Sequence, residues 1–117
     1  MYGRLNPTDF YLQRRIKYKL IRGLLDLIIL IALRENEMSG YEIISFIYDT
    51  FNVLLSPGTV YPLVQTLNDQ GLIEIATDEK KKTFRLSKRG EGLVNAISIE
   101  YLNIQRKVLA MWGQSLL

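Results

Sequence analysis

Apolar residues recur at helical spacing as far as Leu67, the period drops to two after Gly71, and helical spacing returns at Ser87. That single interruption constrains the fold more than any other feature. Leu72-Ile73-Glu74-Ile75 and Thr83-Phe84-Arg85-Leu86 read as two strands, and the polar stretch Thr77 to Lys82 between them reads as the tip of a hairpin. Apart from a short extended piece before Ser56, everything else is helical or connecting. At 117 residues the chain is long enough for one compact unit with an appendage. The sequence therefore predicts a mainly α fold with one small β-hairpin.

The helix boundaries follow from local chemistry. Asn6-Pro7-Thr8-Asp9 supplies a cap, a proline for the first turn and an acid near the positive end of a helix dipole. Downstream, Leu12, Ile16 and Leu20 share one face, and Arg15, Lys19 and Arg22 share another. Whether this leader is separate or continues through Gly23 into the apolar run Leu24 to Leu33 is left open by the pattern. Ser39 and Glu42 have capping-box spacing, with Met38 and Ile43 as a hydrophobic staple. The helix they open is expected to turn Ile43, Ile44, Ile47 and Phe51 inward, with Leu54 beyond. A short strand, Val53-Leu54-Leu55, should follow.

The stretch SPGTVYPLVQTLNDQGLIE, residues 56 to 74, has a core face of Val60, Leu63, Val64 and Leu67. Pro62 has no N–H to donate, so a turn over Ser56 to Gly58 and a helix from about Thr59 to Gly71 are expected. The other face offers Gly58, Thr59, Tyr61, Pro62 and Gln65. No acid occurs between Asp49 and Asp69, so this face is open to something negatively charged.

The charge distribution agrees. The net charge is +3, but residues 1–22 set six cations against one acid, and residues 80–89 hold six cations and none. Between them Arg34 faces nine acids. Two concentrated basic segments are the electrostatic footprint of a polyanion-binding surface. With no cysteine and no histidine, disulfides, thiolate or imidazole metal sites and histidine-based triads are excluded. No phosphate loop or paired-carboxylate motif is present, so no enzyme activity, cofactor or catalytic residue is expected. The run Leu24 to Leu33 is far short of the ~20 apolar residues a membrane span needs. It also fits a cleaved signal peptide badly, and a core helix in a cytoplasmic protein is expected.

Ser87 should cap a last helix in which Val94, Ile97, Tyr101, Ile104, Val108 and Met111 form a heptad seam, broadened by Leu93, Leu102, Leu109 and Trp112. At ~1.5 Å per residue such a helix would be ~39 Å long, longer than a small domain is wide. Part of the seam needs a cover, and a second copy of the chain is the expected one; the alternative is a helix that folds back on its own core. Tyr101 and Trp112 would be the platforms for an aromatic effector at that seam.

These pieces make a winged helix-turn-helix. Residues 1–19 form a basic N-terminal helical extension, 20–87 the DNA-binding domain and 88–117 a C-terminal dimerisation helix. In that arrangement Ser56, Gly58 and Thr59 let the backbone approach double-stranded DNA closely, Tyr61 donates to phosphate and Gln65 reads a base edge. Lys80, Lys81, Lys82 and Arg85 supply phosphate or minor-groove contacts from the wing. Three stretches, LLDLIILIALRENEMSGYEIISFI, LSPGTVYPLVQTLNDQGLIE and FRLSKRGEGLV, closely resemble the PadR family of transcriptional regulators, over roughly residues 20–100. The resemblance implies a homodimeric winged-helix repressor, dimerised through its C-terminal helix and often released from DNA by a small, frequently aromatic ligand. It places DNA contacts on Tyr41, Ser56, Thr59, Tyr61 and the wing. The wing here is shorter than the Gly/Arg-rich one common in the family, and the single C-terminal helix resembles the short-tailed branch. The basic leader lies outside the resemblance and is expected to add phosphate contacts on flanking DNA. A winged helix that contacts protein and binds DNA only weakly is the alternative class of function, and an architectural protein that coats DNA without reading sequence is a third.

Overall fold

The computed structural model describes residues 4–113. Five helices and one hairpin follow in the order α1 (Pro7–Gly23), α2 (Leu25–Glu35), α3 (Gly40–Phe51), α4 (Pro57–Asp69), β1 (Ile73–Asp78), β2 (Lys82–Leu86) and α5 (Lys88–Trp112). The capping signals hold. The Asn6 side chain accepts the Asp9 N–H at 2.8 Å, while Asp9 accepts the Asn6 N–H at 3.1 Å. Ser39 and Glu42 exchange the same pair of bonds at 3.0 and 3.1 Å. The leader is a helix of its own, because Leu24 leaves helical geometry (φ −100°, ψ 2°) and separates α1 from α2.

Helix α4 departs from the expected start. It begins at Pro57, not near Thr59, so Pro62 lies inside the helix. Pro57 at the first position has a fixed φ suited to a helix start and no N–H to leave unsatisfied. The cost of Pro62, which forgoes its bond to the Gly58 carbonyl and crowds it, is offset by burying Val60, Val64 and Leu67. The helix ends as expected at Gly71, whose φ of +76° suits a residue without Cβ. Leu72 N–H reaches back to the Leu67 carbonyl and Gly71 N–H to the Asn68 carbonyl, both at 3.0 Å.

The connection before α4 is extended but unpaired, not a strand. Its residues alternate: Val53 and Leu55 are buried, whereas Leu54, expected inward, is exposed. The third position in the sheet falls to Met38, which exchanges backbone hydrogen bonds with Phe84 at 3.1 and 2.8 Å. The hairpin is antiparallel, with Ile73 opposite Leu86 and Asp78 opposite Lys82, and its register is interrupted by a bulge at Ala76. The strands extend further than expected, so the tip shrinks to Glu79–Lys81 and Lys82 lies on β2.

The core joins α2, α3, α4, the hairpin base and the start of α5. Ile29, Ile43, Ile47 and Val60 have no exposed surface, and Leu25, Leu33, Leu55, Val64, Leu67, Ile73 and Phe84 complete the cluster. Val94 belongs to it as well, at 4% exposure. Of the seam expected along α5, Val94 is therefore committed to its own domain and unavailable to a second copy. Tyr101 is half-buried, and every later described residue of α5 is exposed.

Helix α5 is seated by two small residues. The Ser87 hydroxyl accepts the Gly90 N–H at 3.0 Å and donates to the Gly71 carbonyl at 2.6 Å. A Cβ on Gly90 would overlap the Leu72 carbonyl and the Leu86 side chain. Backbone cannot step aside as a side-chain tip can, so Gly90→Ala should behave as an overpacked core and lose about 1–3 kcal/mol. Urea unfolding of the two proteins checks this; an unchanged midpoint would contradict the close approach.

Candidate nucleic-acid interface

With Val60, Val64 and Leu67 turned into the core, α4 exposes Gly58, Tyr61, Pro62, Gln65 and Thr66. The N-terminal end of the helix is open. Ser56, though at the cap position, makes no side-chain cap. Its hydroxyl sits 3.1 Å from the Thr59 hydroxyl instead. The Thr59 and Val60 N–H groups turn to the Ser56 carbonyl at 3.0 and 3.2 Å. Gly58, exposed at the second position, keeps its N–H toward solvent at the positive end of the helix dipole.

Tyr61 is held by a close contact across the helix pair. Gly40, buried at the first position of α3, lies directly under the Tyr61 ring, and a Cβ there would overlap it. The ring remains 47% exposed. Tyr61 then borders a depression of about 420 Å³ with Tyr41, Gln65, Lys81, Lys82 and Phe84, floored by Ser39, Gly40, Glu42 and Val64. The start of α3, the outer face of α4 and the wing thus meet at one place. Tyr41 is the most exposed of its aromatics, at 69%.

Several of the residues expected to contact DNA already have partners. Gln65 donates to Asp69 one turn later at 2.8 Å. Lys81 pairs with Glu42 at 3.0 Å. Arg85 makes two hydrogen bonds to Glu74 across the hairpin, at 3.2 and 3.0 Å. Strand alternation puts Arg85 on the face opposite Phe84, and it does not border the depression. Lys80 stands exposed at the wing tip. Ser56, Gly58 and Thr59 lie to the other side of α4. There Gly58, Thr59, Pro62 and Thr66 line a second shallow depression with Arg22 and Asp26 from the α1–α2 junction. The proximity of Arg22 to α4 was not legible in the sequence, although its basic stripe with Arg15 and Lys19 was.

Glu42 is the one described group whose titration is clearly displaced. Accepting the Ser39 N–H, with Lys81 bound to the same carboxylate, holds it below its ordinary 4.5. Glu42 closes the cap of α3 and tethers the wing to it. Among the described residues no helix is long and apolar enough to cross a membrane, and no group of acids could hold a metal ion.

Three helices, a hairpin wing and a long trailing helix define the winged helix-turn-helix class. Comparison with known proteins agrees. Residues 29–96, more than half of the chain, match the transcriptional regulator PadR-like family, and the protein belongs to it. The chain superposes on the crystal structure of a PadR family transcriptional regulator from Eggerthella lenta with a TM-score of 0.79, at 22% identity over 92% of this chain and 96% of that one. It is also similar to Bacillus subtilis PadR, solved in complex with operator DNA, at 28% identity and a TM-score of 0.57 over 65% of this chain and 47% of that one. Among curated proteins it matches the transcriptional activator GvpE of Haloferax mediterranei, 39% identical over 61 residues, covering 52% of this chain and 31% of that relative's length. As a transcriptional regulator the protein is not an enzyme.

A lowered carboxylate pKa stabilises the fold above the unfolded value, and the contribution is lost as pH falls through the folded one. The stability difference between wild type and Glu42→Gln should therefore be full above about pH 4.5 and close below it. Parallel denaturation across an acid pH series measures this, and a difference that persists at low pH would contradict it.

Proposed function

We propose that the protein is a sequence-specific, homodimeric DNA-binding regulator that places α4 in the major groove and lays the Lys80–Lys82 wing on phosphates or in the adjacent minor groove. The observation that carries this is the exposed face of α4. From Pro57 to Gln65 it carries no acid, it is open at its N-terminal end, and it is bordered by two tyrosines and the wing lysines; Asp69, bonded to Gln65, stands at its far end. The free Gly58 N–H and the positive dipole end favour phosphate, while Gln65, once released from Asp69, has the bidentate amide suited to adenine. Tyr41 and Tyr61 are phosphate donors. Lys81 exchanges Glu42 for phosphate, and Arg85, paired with Glu74 on the far face of the hairpin, is the weakest member of the set.

Dimerisation rests on α5 beyond Val94. Ile97, Ile104, Val108, Met111 and Trp112 are all exposed, Met111 at 86%. A contiguous apolar stripe of this kind marks an interaction face. A second copy covers it in our account, with Tyr101 and Trp112 as platforms for a small aromatic effector. Repression by steric blockage of the promoter is the mode we favour. The activator named in GvpE supports the opposite sign as a second reading. Reporter expression decides it: loss of the protein raises output from a repressed promoter and lowers output from an activated one.

Selection from a random duplex library, followed by fluorescence anisotropy on the recovered sequence and a scrambled control, tests sequence reading. A preference of ~10³ or more at physiological salt is expected. Gln65→Ala should lower that preference by about 1–3 kcal/mol, whereas Tyr61→Phe weakens binding to both duplexes alike. No preference in any recovered sequence would favour a protein-interaction module. For the dimer, Ile104→Asp should yield a monomer in sedimentation and shift the emission of Trp112, the single tryptophan, to the red. A variant that sediments as wild type would remove α5 from the interface.

A further inference from the structure

The stripe Arg15, Lys19 and Arg22 on α1 is not needed by the fold. All three side chains are exposed, and none takes part in an ion pair among the described residues. At 100° per residue the three positions fall within a narrow band of the helix surface, about 10 Å long at ~1.5 Å per residue. What the structure adds is where this band runs. At one end Arg15 borders a wide cleft with Asn52 and Leu54, in the connection that leads from α3 to α4. At the other, Arg22 borders the depression that contains Gly58 and Thr59 at the open end of α4. The stripe therefore runs alongside the chain entering α4 and continues the candidate interface past its N-terminal end.

Arg22 is also positioned. Its guanidinium lies 6.0 Å from the centre of the Tyr18 ring, one turn earlier, and Nη1 approaches the Tyr18 hydroxyl at 3.4 Å. Arg22 and Asp26 are the one cation and the one acid of that depression, and Lys19 and Arg15 carry positive charge on along α1, so the stripe forms a cationic track beside a helix end suited to phosphate. Measured along the duplex axis each strand advances ~3.4 Å per phosphate, so long side chains spread over this length can meet two or three of them.

We infer that α1 is a second DNA-contact element, whose Arg15, Lys19 and Arg22 grip the phosphate backbone flanking the site read by α4. This rests on the DNA-binding reading above but concerns a different part of the molecule and a different measurable quantity. The contacts carry no base information, so they add affinity and salt dependence without changing which sequence is chosen.

The test compares wild type with the triple variant Arg15→Gln, Lys19→Gln, Arg22→Gln. The probes are the duplex recovered by selection, in a long form of roughly 30 base pairs, and a form trimmed to the half-sites. Arg106→Gln, Lys107→Gln on α5 controls for a general loss of charge, and far-ultraviolet circular dichroism with sedimentation confirms that fold and association state are kept. On the long duplex the plot of log K against log salt should flatten in the triple variant by about 0.9 per lost phosphate, approaching 2–3 in total. Affinity should fall at least tenfold, with the native-over-scrambled preference unchanged. On the trimmed duplex wild type and triple variant should converge. An unchanged slope on the long duplex, or an equal loss in the α5 control, would overturn the inference and leave the role of α4 standing. A wild type without affinity for any duplex would overturn both.

Discussion

The contact among Ile29, Ile43, Ile47 and Val60 is the constraint on which the rest of the structure depends. These four side chains come from α2, α3 and α4, none has exposed surface, and all lie in one core cluster. Branching at Cβ leaves each with essentially one χ1 rotamer in a helix, so the three helices cannot slide past one another without forcing a side chain out of its well. Val60 is the member that orients the candidate face. With it and Val64 turned inward, helical periodicity directs Tyr61 and Gln65 outward, and the open N-terminal turn of α4 is held at the molecular surface. The same core reaches the wing through Phe84, whose backbone pairs with Met38.

Around that core two glycines set distances that larger residues would not allow. Gly40 admits the Tyr61 ring at the start of α3, and Gly90 admits the Leu72 carbonyl at the start of α5. One brings an aromatic of α4 against the α3 cap; the other brings the trailing helix onto the hairpin base. Glu42 joins the first of these to the wing by closing the α3 cap and holding Lys81. The candidate interface is thus assembled from three separate elements, each tied to the next by a named contact.

Much of this was legible in the chain. The caps at Asn6, Ser39 and Ser87, the change of period at Gly71 and the left-handed Gly71 are local chemistry, and local chemistry survives folding. The family followed from motifs in the right order. Misplaced features are those in which tertiary packing outweighs a local rule. Pro62 argued for a later start to α4, but the buried face of that helix tolerates it. Heptad spacing put Val94 on a seam, and spacing alone does not tell which turns of a long helix rest on their own domain. Leu54 looked like an inward residue by helical count, yet it falls in an extended segment where alternation turns it out. The pairs Lys81–Glu42 and Arg85–Glu74 join residues 39 and 11 positions apart and have no signature in sequence. Neither does the approach of Arg22 to Gly58.

The central claim is that the N-terminal half of α4 is the surface that meets DNA. Backbone amide chemical-shift mapping by NMR, with the selected duplex added stepwise, tests it most directly. The account predicts that the largest changes fall on Ser56, Gly58, Thr59, Tyr61 and Gln65, with Tyr41 and the wing following and the amides of Ile29 and Ile47 nearly silent. Changes confined to α5, or spread evenly over every basic segment with α4 unmoved, would contradict it.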